Sequence, residues 1–204
     1  MKKGLYYFGQ LISFTKIILP LNVLKSILRY IYSGMKFYNI KDRKNMVLCK
    51  YPFDIIGARN ISIGVNSSFG KRCVLTAWEN LDYEDDNKIR IGNNVVIGDD
   101  CHITAVNGIT ISDGCLLGKK ITITDNSHGE INAAELTIAP IKRVSFSKGR
   151  VFIGKNVWIG DKVSIMPDVK IGDGAIIGAN AVVTNNIPAY SVAVGIPAKV
   201  IKTF

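Results

Sequence analysis

One histidine lies in a setting suited to proton transfer. His128 ends the run Asp-Asn-Ser-His at residues 125–128, directly before Gly129 and a long loop over residues 129–150. An imidazole titrates near neutral pH, which suits a general base that removes the proton of an attacking hydroxyl. Long loops that leave a regular framework often carry function. The segment therefore predicts His128 as a catalytic base, oriented by Asp125, by Glu130 or by a backbone carbonyl.

The inventory of metal ligands and nucleophiles is small. The only other histidine is His102, and the four cysteines are far apart in the chain, without a Cys-x-x-Cys pair. A dedicated metal site is therefore not expected, and a metalloenzyme that needs three histidines around zinc is strongly disfavoured. Three of the cysteines occupy core positions of the repeat described next, which disfavours a cysteine nucleophile. These are Cys73, Cys101 and Cys115.

A six-residue repeat must position these groups. An aliphatic residue recurs at Ile153, Ile159, Ile165, Ile171, Ile177 and Val183, and a second apolar position lies four residues after each. The same register occurs at Ile91, Ile97 and Ile103, and again, after a two-residue slip, at Ile111, Leu117 and Ile123. A hexad is too short for a helix, so short strands separated by bends are expected to stack as a parallel β-solenoid with three hexads per coil. The glycines that follow many of these residues are expected to permit the bends.

The basic charge is concentrated at one end. Lys and Arg number 26 against 16 Asp and Glu, a net charge of +10, and residues 1–50 hold ten of the basic residues and one acid. We predict a basic, apolar, helical segment over residues 1–50 with a break at Pro20. Residues 51–188 are predicted to form the solenoid, with loops at 78–88 and 129–150, and residues 189–204 a tail.

Two interpretations of the N-terminal segment are open. A basic, aromatic-rich apolar segment is typical of a helix on an anionic membrane surface, and packing of the helices on the oligomer fits equally well. Its longest uncharged stretch is too short to span a membrane, and no secretory cleavage site follows it. The expected location is cytoplasmic, on the inner face of the membrane if the first interpretation holds. Nucleic acid is not expected as a partner, because no nucleic-acid motif accompanies the charge.

From Ile89 to the C-terminus, and most closely over Val151 to Lys202, the chain resembles the hexapeptide-repeat acyltransferases. Within them it is similar to the maltose, galactoside and surface-polysaccharide O-acetyltransferases. The resemblance implies an all-β fold, a left-handed parallel β-helix, and a homotrimer with active sites between subunits. It implies acetyl-coenzyme A as cosubstrate, a saccharide acceptor and His128 as general base. A serine O-acetyltransferase-like enzyme and a non-catalytic hexapeptide-repeat scaffold are the alternatives.

The resemblance also implies the binding residues. Trp158 would line the substrate channel opposite the histidine of the adjacent subunit. The coenzyme would bind along a coil edge and near the cations of the C-terminal tail, at Asp161, Ala179, Thr184, Lys199 and Lys202. The acceptor side matches the family less well, because the coil around residues 102–112 is two residues out of register. The acceptor candidates are Asn107, Thr104 and Asp125.

Overall fold

The computed structural model describes residues 21–43, 47–79 and 87–204. Short strands wind around a triangular prism, and each pairs in parallel with its counterpart in the next coil. The three resulting sheets are called face 1, face 2 and face 3, in the order in which the chain visits them. The predicted left-handed parallel β-helix with a short N-terminal helix is confirmed. The break predicted at Pro20 lies outside the described residues.

The described residues form six coils, each with one strand on face 1, one on face 2 and one on face 3. Coil 1 contains β1 (Asp42–Arg43), β2 (Leu48–Cys49) and β3 (Phe53–Ile56); coil 2 contains β4 (Ile61–Ile63), β5 (Ser68–Phe69) and β6 (Cys73–Ala77); and coil 3 contains β7 (Ile89–Ile91), β8 (Val96–Ile97) and β9 (His102–Ala105). Coil 4 contains β10 (Ile109–Ile111), β11 (Leu116–Leu117) and β12 (Thr122–Thr124), and it is followed by a hairpin of β13 (Ser127–His128) and β14 (Ser145–Phe146). Coil 5 contains β15 (Val151–Ile153), β16 (Trp158–Ile159) and β17 (Ser164–Ile165), and coil 6 contains β18 (Lys170–Ile171), β19 (Ile176–Ile177) and β20 (Val182–Val183). The last two strands, β21 (Ser191–Val194) and β22 (Lys199–Thr203), form an antiparallel pair that extends face 2.

The core is a column of aliphatic side chains along the prism axis. Both apolar positions of each predicted hexad point inward, and the residues from Ile153 to Val183 that define the repeat are at most 1% exposed. Cys73, Cys101 and Cys115 are buried in the same column, as predicted. Each coil therefore covers the apolar surface of its neighbours, which no hexad could bury alone.

The glycines of the repeat have a different role from the one predicted. Gly118 and Gly154 are not among the residues with positive φ, so they are not needed for the bend. A Cβ atom at either position would collide with an aspartate carboxylate of the following coil, that of Asp161 or Asp173. Those carboxylates accept backbone N–H groups of the coil below, at 2.8 Å from Lys119 N and from Lys155 N. Glycine is thus required by the close approach of successive coils.

A helix closes the first coil. Helix α1 (Leu21–Lys36) is followed by Phe37, whose ring packs against Phe53 and Phe69 with centroids 5.4 and 5.8 Å away. Ser33 is buried, and its hydroxyl accepts the N–H of Cys49 at 2.9 Å. One face of α1 therefore packs on its own chain, against coil 1. This coil begins at Asp42, within the segment 1–50 that was assigned to the N-terminal region.

Two insertions leave the corner between face 3 and face 1. Most of the predicted loop 78–88 lies outside the described residues, which include its positions 78, 79, 87 and 88. The loop at 129–150 contains helix α2 (Ala133–Leu136) and a 3-10 turn (Pro140–Lys142) between β13 and β14. None of the helices within the described ranges is long and apolar enough to cross a membrane.

Candidate active site

His128 lies at the root of the 129–150 loop. It is on β13, where it pairs with Ser145, and its side chain is exposed. The following residue, Gly129, has a φ of 80°, and its N–H donates to the carbonyl of Val144 at 3.0 Å. The hairpin therefore fixes the backbone of His128 at the corner between faces 3 and 1, while the imidazole faces solvent. An exposed imidazole held by a rigid backbone can act on a bound hydroxyl.

Asp125 has a structural role, which corrects its assignment to acceptor binding. Its side chain is completely buried. One carboxylate oxygen accepts the N–H of Val106 at 2.8 Å, and the other accepts those of Asn107 and Gly108 at 2.9 and 2.5 Å. These three amides belong to the turn between coils 3 and 4 and would otherwise be buried without a partner. The carboxylate therefore anchors that turn and does not reach an acceptor in solvent.

A glutamate that the sequence did not single out lies close to His128. Glu135, on α2, places its Oε2 atom against Gly129, where that oxygen is buried without a hydrogen-bond partner among the described residues. Glu130, the candidate named from sequence, has an oxygen that accepts from Asn132 Nδ2 at 3.1 Å. Glu135 is seven positions after the histidine, and only the fold of the loop brings the two segments together. No sequence signal marks it.

The remaining acceptor candidates lie beside the same corner. The hydroxyl of Thr104 accepts from the indole Nε1 of Trp78 at 3.2 Å, and the Thr104 carbonyl accepts from Asn126 Nδ2 at 3.2 Å. The Oδ1 atom of Asn107 accepts a hydrogen bond from the guanidinium Nε of Arg150 at 3.0 Å. Trp78, half-exposed, is thus linked through Thr104 to the segment that carries His128.

A cleft lies at a different corner, between faces 2 and 3. Its volume is about 490 Å³, and it spans coils 4 to 6. Trp158, which was predicted to line the substrate channel, borders it together with Gly178 and two of the predicted coenzyme-binding residues, Asp161 and Ala179. Trp158 is 53% exposed, between Leu116 and Ile176 on face 2. The cleft therefore offers an apolar wall and exposed backbone to an elongated ligand.

The other predicted coenzyme-binding residues are not in the cleft lining. Lys199 is close, because it pairs with Val194, which packs on Gly178 at the cleft edge. Lys202 places its ammonium 4.2 Å from the centroid of the Phe204 ring. Thr184 is exposed, and its hydroxyl accepts from Asn185 Nδ2 at 3.1 Å. Asp161 lines the cleft, but its bond to the Lys119 amide also gives it a structural role.

Two family models match the chain. The model described as bacterial transferase hexapeptide (six repeats) matches residues 150–185, and the model described as hexapeptide repeat of succinyl-transferase matches residues 88–125. The chain is 32% identical over 165 residues to a protein of Escherichia coli (strain K12) that bears the name lipopolysaccharide biosynthesis O-acetyl transferase WbbJ. The alignment covers 79% of this chain and 81% of that protein. The chain belongs to the hexapeptide-repeat acyltransferases.

Two further comparisons concern sugar-modifying members of this family. The chain is 34% identical to the dTDP-4-amino-4,6-dideoxy-D-glucose acyltransferase of Escherichia coli. The alignment covers 70% of this chain and 71% of the relative. A solved galactoside acetyltransferase in complex with coenzyme A superimposes with a TM-score of 0.52 and 31% identity, covering 64% of each chain.

All four cysteines of the acyltransferase are buried. Burial raises the pKa of the Cys49 thiol to about 11, and it also raises the pKa of Cys115. A buried protonated thiol is a poor nucleophile. Among the residues that the structure describes, no three His, Cys, Asp or Glu side chains are grouped as a metal site would require.

Proposed function

We propose that this acyltransferase moves an acetyl group from acetyl-coenzyme A to a hydroxyl of a saccharide, with His128 as general base. The acceptor we favour is a precursor of a cell-surface polysaccharide or lipopolysaccharide. The observation that carries the proposal is the pair of features on one rigid prism: an exposed histidine at a loop root and an apolar cleft lined by Trp158. The names of the relatives point to the same chemistry.

The reaction is direct. His128 takes the hydroxyl proton as the acceptor oxygen attacks the thioester carbonyl, and an ester forms as the carbon–sulfur bond breaks. Coenzyme A leaves as a thiolate and takes the proton back from the imidazolium. The tetrahedral oxyanion requires a donor, for which a backbone N–H of a neighbouring coil is suitable. No covalent enzyme intermediate is needed if both substrates are bound together.

A homotrimer with shared sites is part of the proposal. In one chain, His128 and the Trp158 cleft lie at opposite edges of face 3, separated by at least one strand and its turns, on the order of 10–20 Å. Base and thioester must come within about 3 Å of the reacting hydroxyl. A second copy that presents its cleft to His128 would meet this requirement, which supports the family's trimeric arrangement.

The proposal places the enzyme in the cytoplasm. The four cysteines at 49, 73, 101 and 115 are free thiols, as is usual in a reducing compartment. Contact with the inner face of the membrane belongs to the same proposal, because a basic, apolar N-terminal segment suits an anionic lipid surface.

Release of free thiol from acetyl-coenzyme A tests the function. The wild-type protein would be assayed with free sugars, nucleotide-linked sugars, lipid-linked sugars and serine. We expect release that depends on a saccharide hydroxyl. Release with serine alone, or only with the amine of dTDP-4-amino-4,6-dideoxyglucose, would contradict saccharide O-acetylation. No release with any acceptor, together with no binding of coenzyme A by calorimetry, would favour a scaffold.

Replacement of Trp78 tests the acceptor side. The indole face next to Thr104 offers a surface on which a sugar ring can pack. We expect Trp78→Ala to raise KM for the acceptor about tenfold, with KM for acetyl-coenzyme A unchanged. Trp78→Phe keeps a ring face but loses the bond to Thr104, and it should retain most of the affinity. An unchanged acceptor KM in Trp78→Ala would place the acceptor elsewhere.

A further inference from the structure

The outer face of α1 and the first two coils enclose a second, larger groove. Its volume is about 890 Å³. The apolar part of its lining includes Leu28, Ile31 and Met35, which are 56%, 56% and 74% exposed. Helix α1 thus has apolar side chains on the face turned away from the core as well as on the face packed against coil 1. A water-exposed helix face of this kind normally has a partner.

The rim of this groove is entirely basic in charge. Four cations line it, Lys25 and Arg29 from α1, Lys50 from coil 1 and Lys71 from coil 2, and no acid is among the lining residues. Four like charges gathered around one groove attract anionic groups such as phosphate.

The combination of apolar floor and basic rim identifies the occupant. We infer that this groove binds the surface of a bilayer that contains anionic phospholipid, with acyl chains against the apolar face of α1 and headgroup phosphates at the four cations. An amphipathic basic helix lies in such an interface with its apolar face inward. Each nearby Lys or Arg strengthens the attraction to anionic lipid. A soluble acidic protein would satisfy the cations but not the exposed Leu28, Ile31 and Met35.

The groove lies along the same corner of the prism as the Trp158 cleft. The inference about the acceptor that follows from this position rests on the proposed function. Lys50 and Lys71 occupy the corner between faces 2 and 3 in coils 1 and 2, and the Trp158 cleft occupies the same corner in coils 4 to 6. Neighbouring coils are about 4.8 Å apart, so the groove lies roughly 15 Å below the cleft. A saccharide linked to a membrane lipid would extend along this corner toward the cleft, which makes a lipid-linked saccharide the acceptor class.

Vesicle flotation with the full-length protein tests the inference. We expect binding to vesicles of phosphatidylcholine with phosphatidylglycerol to exceed binding to phosphatidylcholine alone at least tenfold. The double variant Lys50→Glu/Lys71→Glu should lose at least tenfold of that binding. The matched control, Lys155→Glu/Lys170→Glu, carries the same change of charge on coils 5 and 6 and should bind as the wild type does. Melting temperatures establish that each variant is folded.

The opposing outcomes are distinct. Wild-type protein that ignores anionic lipid would overturn the inference, and so would a groove variant that floats like the control, since residues outside the groove would then hold the lipid. Loss of a larger assembly in the groove variant, seen by light scattering without any loss of lipid binding, would assign the groove to a second copy and also overturn it. Vesicle binding needs no acetyl-coenzyme A, so failure of the proposed reaction would leave this result standing.

Discussion

Alanine in place of His128 is expected to lower kcat for acceptor-dependent release of coenzyme A by about 10²–10⁴-fold, the usual contribution of a general base. The physical reason is that the saccharide hydroxyl then has no group to take its proton as it attacks the thioester. KM for acetyl-coenzyme A should change little, because the imidazole acts on the acceptor hydroxyl, whereas residues of the cleft hold the coenzyme. Steady-state kinetics with each substrate varied in turn measures both quantities.

His102 provides the matched control. It is exposed on β9 of face 3, pairs with Thr122 of the next coil, and belongs to no loop insertion. We expect His102→Ala to keep near wild-type turnover. If His128→Ala turned over at the wild-type rate, His128 would not be the base. Equal losses in both variants, with unchanged melting temperatures, would mean that no single histidine carries the proton transfer.

Mixing two inactive variants should restore activity if the site is shared between subunits. One chain would carry His128→Ala. The other would carry Ala179→Trp, which fills the cleft and is expected to lower activity about 10²-fold by displacing the coenzyme. In randomly mixed trimers, about a quarter of the interfaces combine an intact histidine with an intact cleft. Co-expression should therefore return about a quarter of the wild-type rate.

The controls separate a shared site from other causes. Co-expression of His128→Ala with the double variant His128→Ala/Ala179→Trp supplies no intact histidine and should stay inactive. Lys155→Trp introduces the same ring at an exposed position outside the cleft lining and should be active by itself. Molar mass by light scattering measures the oligomer. A trimer in which the two single variants never complement would mean that each chain holds a complete site, contrary to the proposal.

Much of the fold could be predicted from the sequence because its determinants are local. Every sixth residue from Ile153 to Val183 must be apolar if each coil is to cover the next, so the repeat and its inward positions are visible in the chain. The burial of Cys73, Cys101 and Cys115 followed from the same register. The long loop was predicted because the hexads stop after Ile123 and resume at Val151.

Features that depend on contacts between coils were not predictable. The glycine positions were visible in the sequence, but the cause of the glycine requirement was not. Several of these glycines are needed because an aspartate of the following coil, at least one coil later in the sequence, packs against each of them. Asp125 resembled an active-site carboxylate by its closeness to His128, yet its oxygens are occupied by the amides of residues 106–108. Glu135 was not predicted for the same reason, because only the folded loop brings it against Gly129.

The sequence by itself determined the solenoid, the family resemblance and His128 as the candidate base, since each rests on short-range patterns of residue type. Only the tertiary structure decided which predicted residues meet. It joined Trp158, Asp161 and Ala179 in one cleft, left His128 at another corner, and placed four cations around the groove beside α1. Residues far apart in the chain become neighbours through the stacking of coils, and that stacking is set by the packing of the whole core.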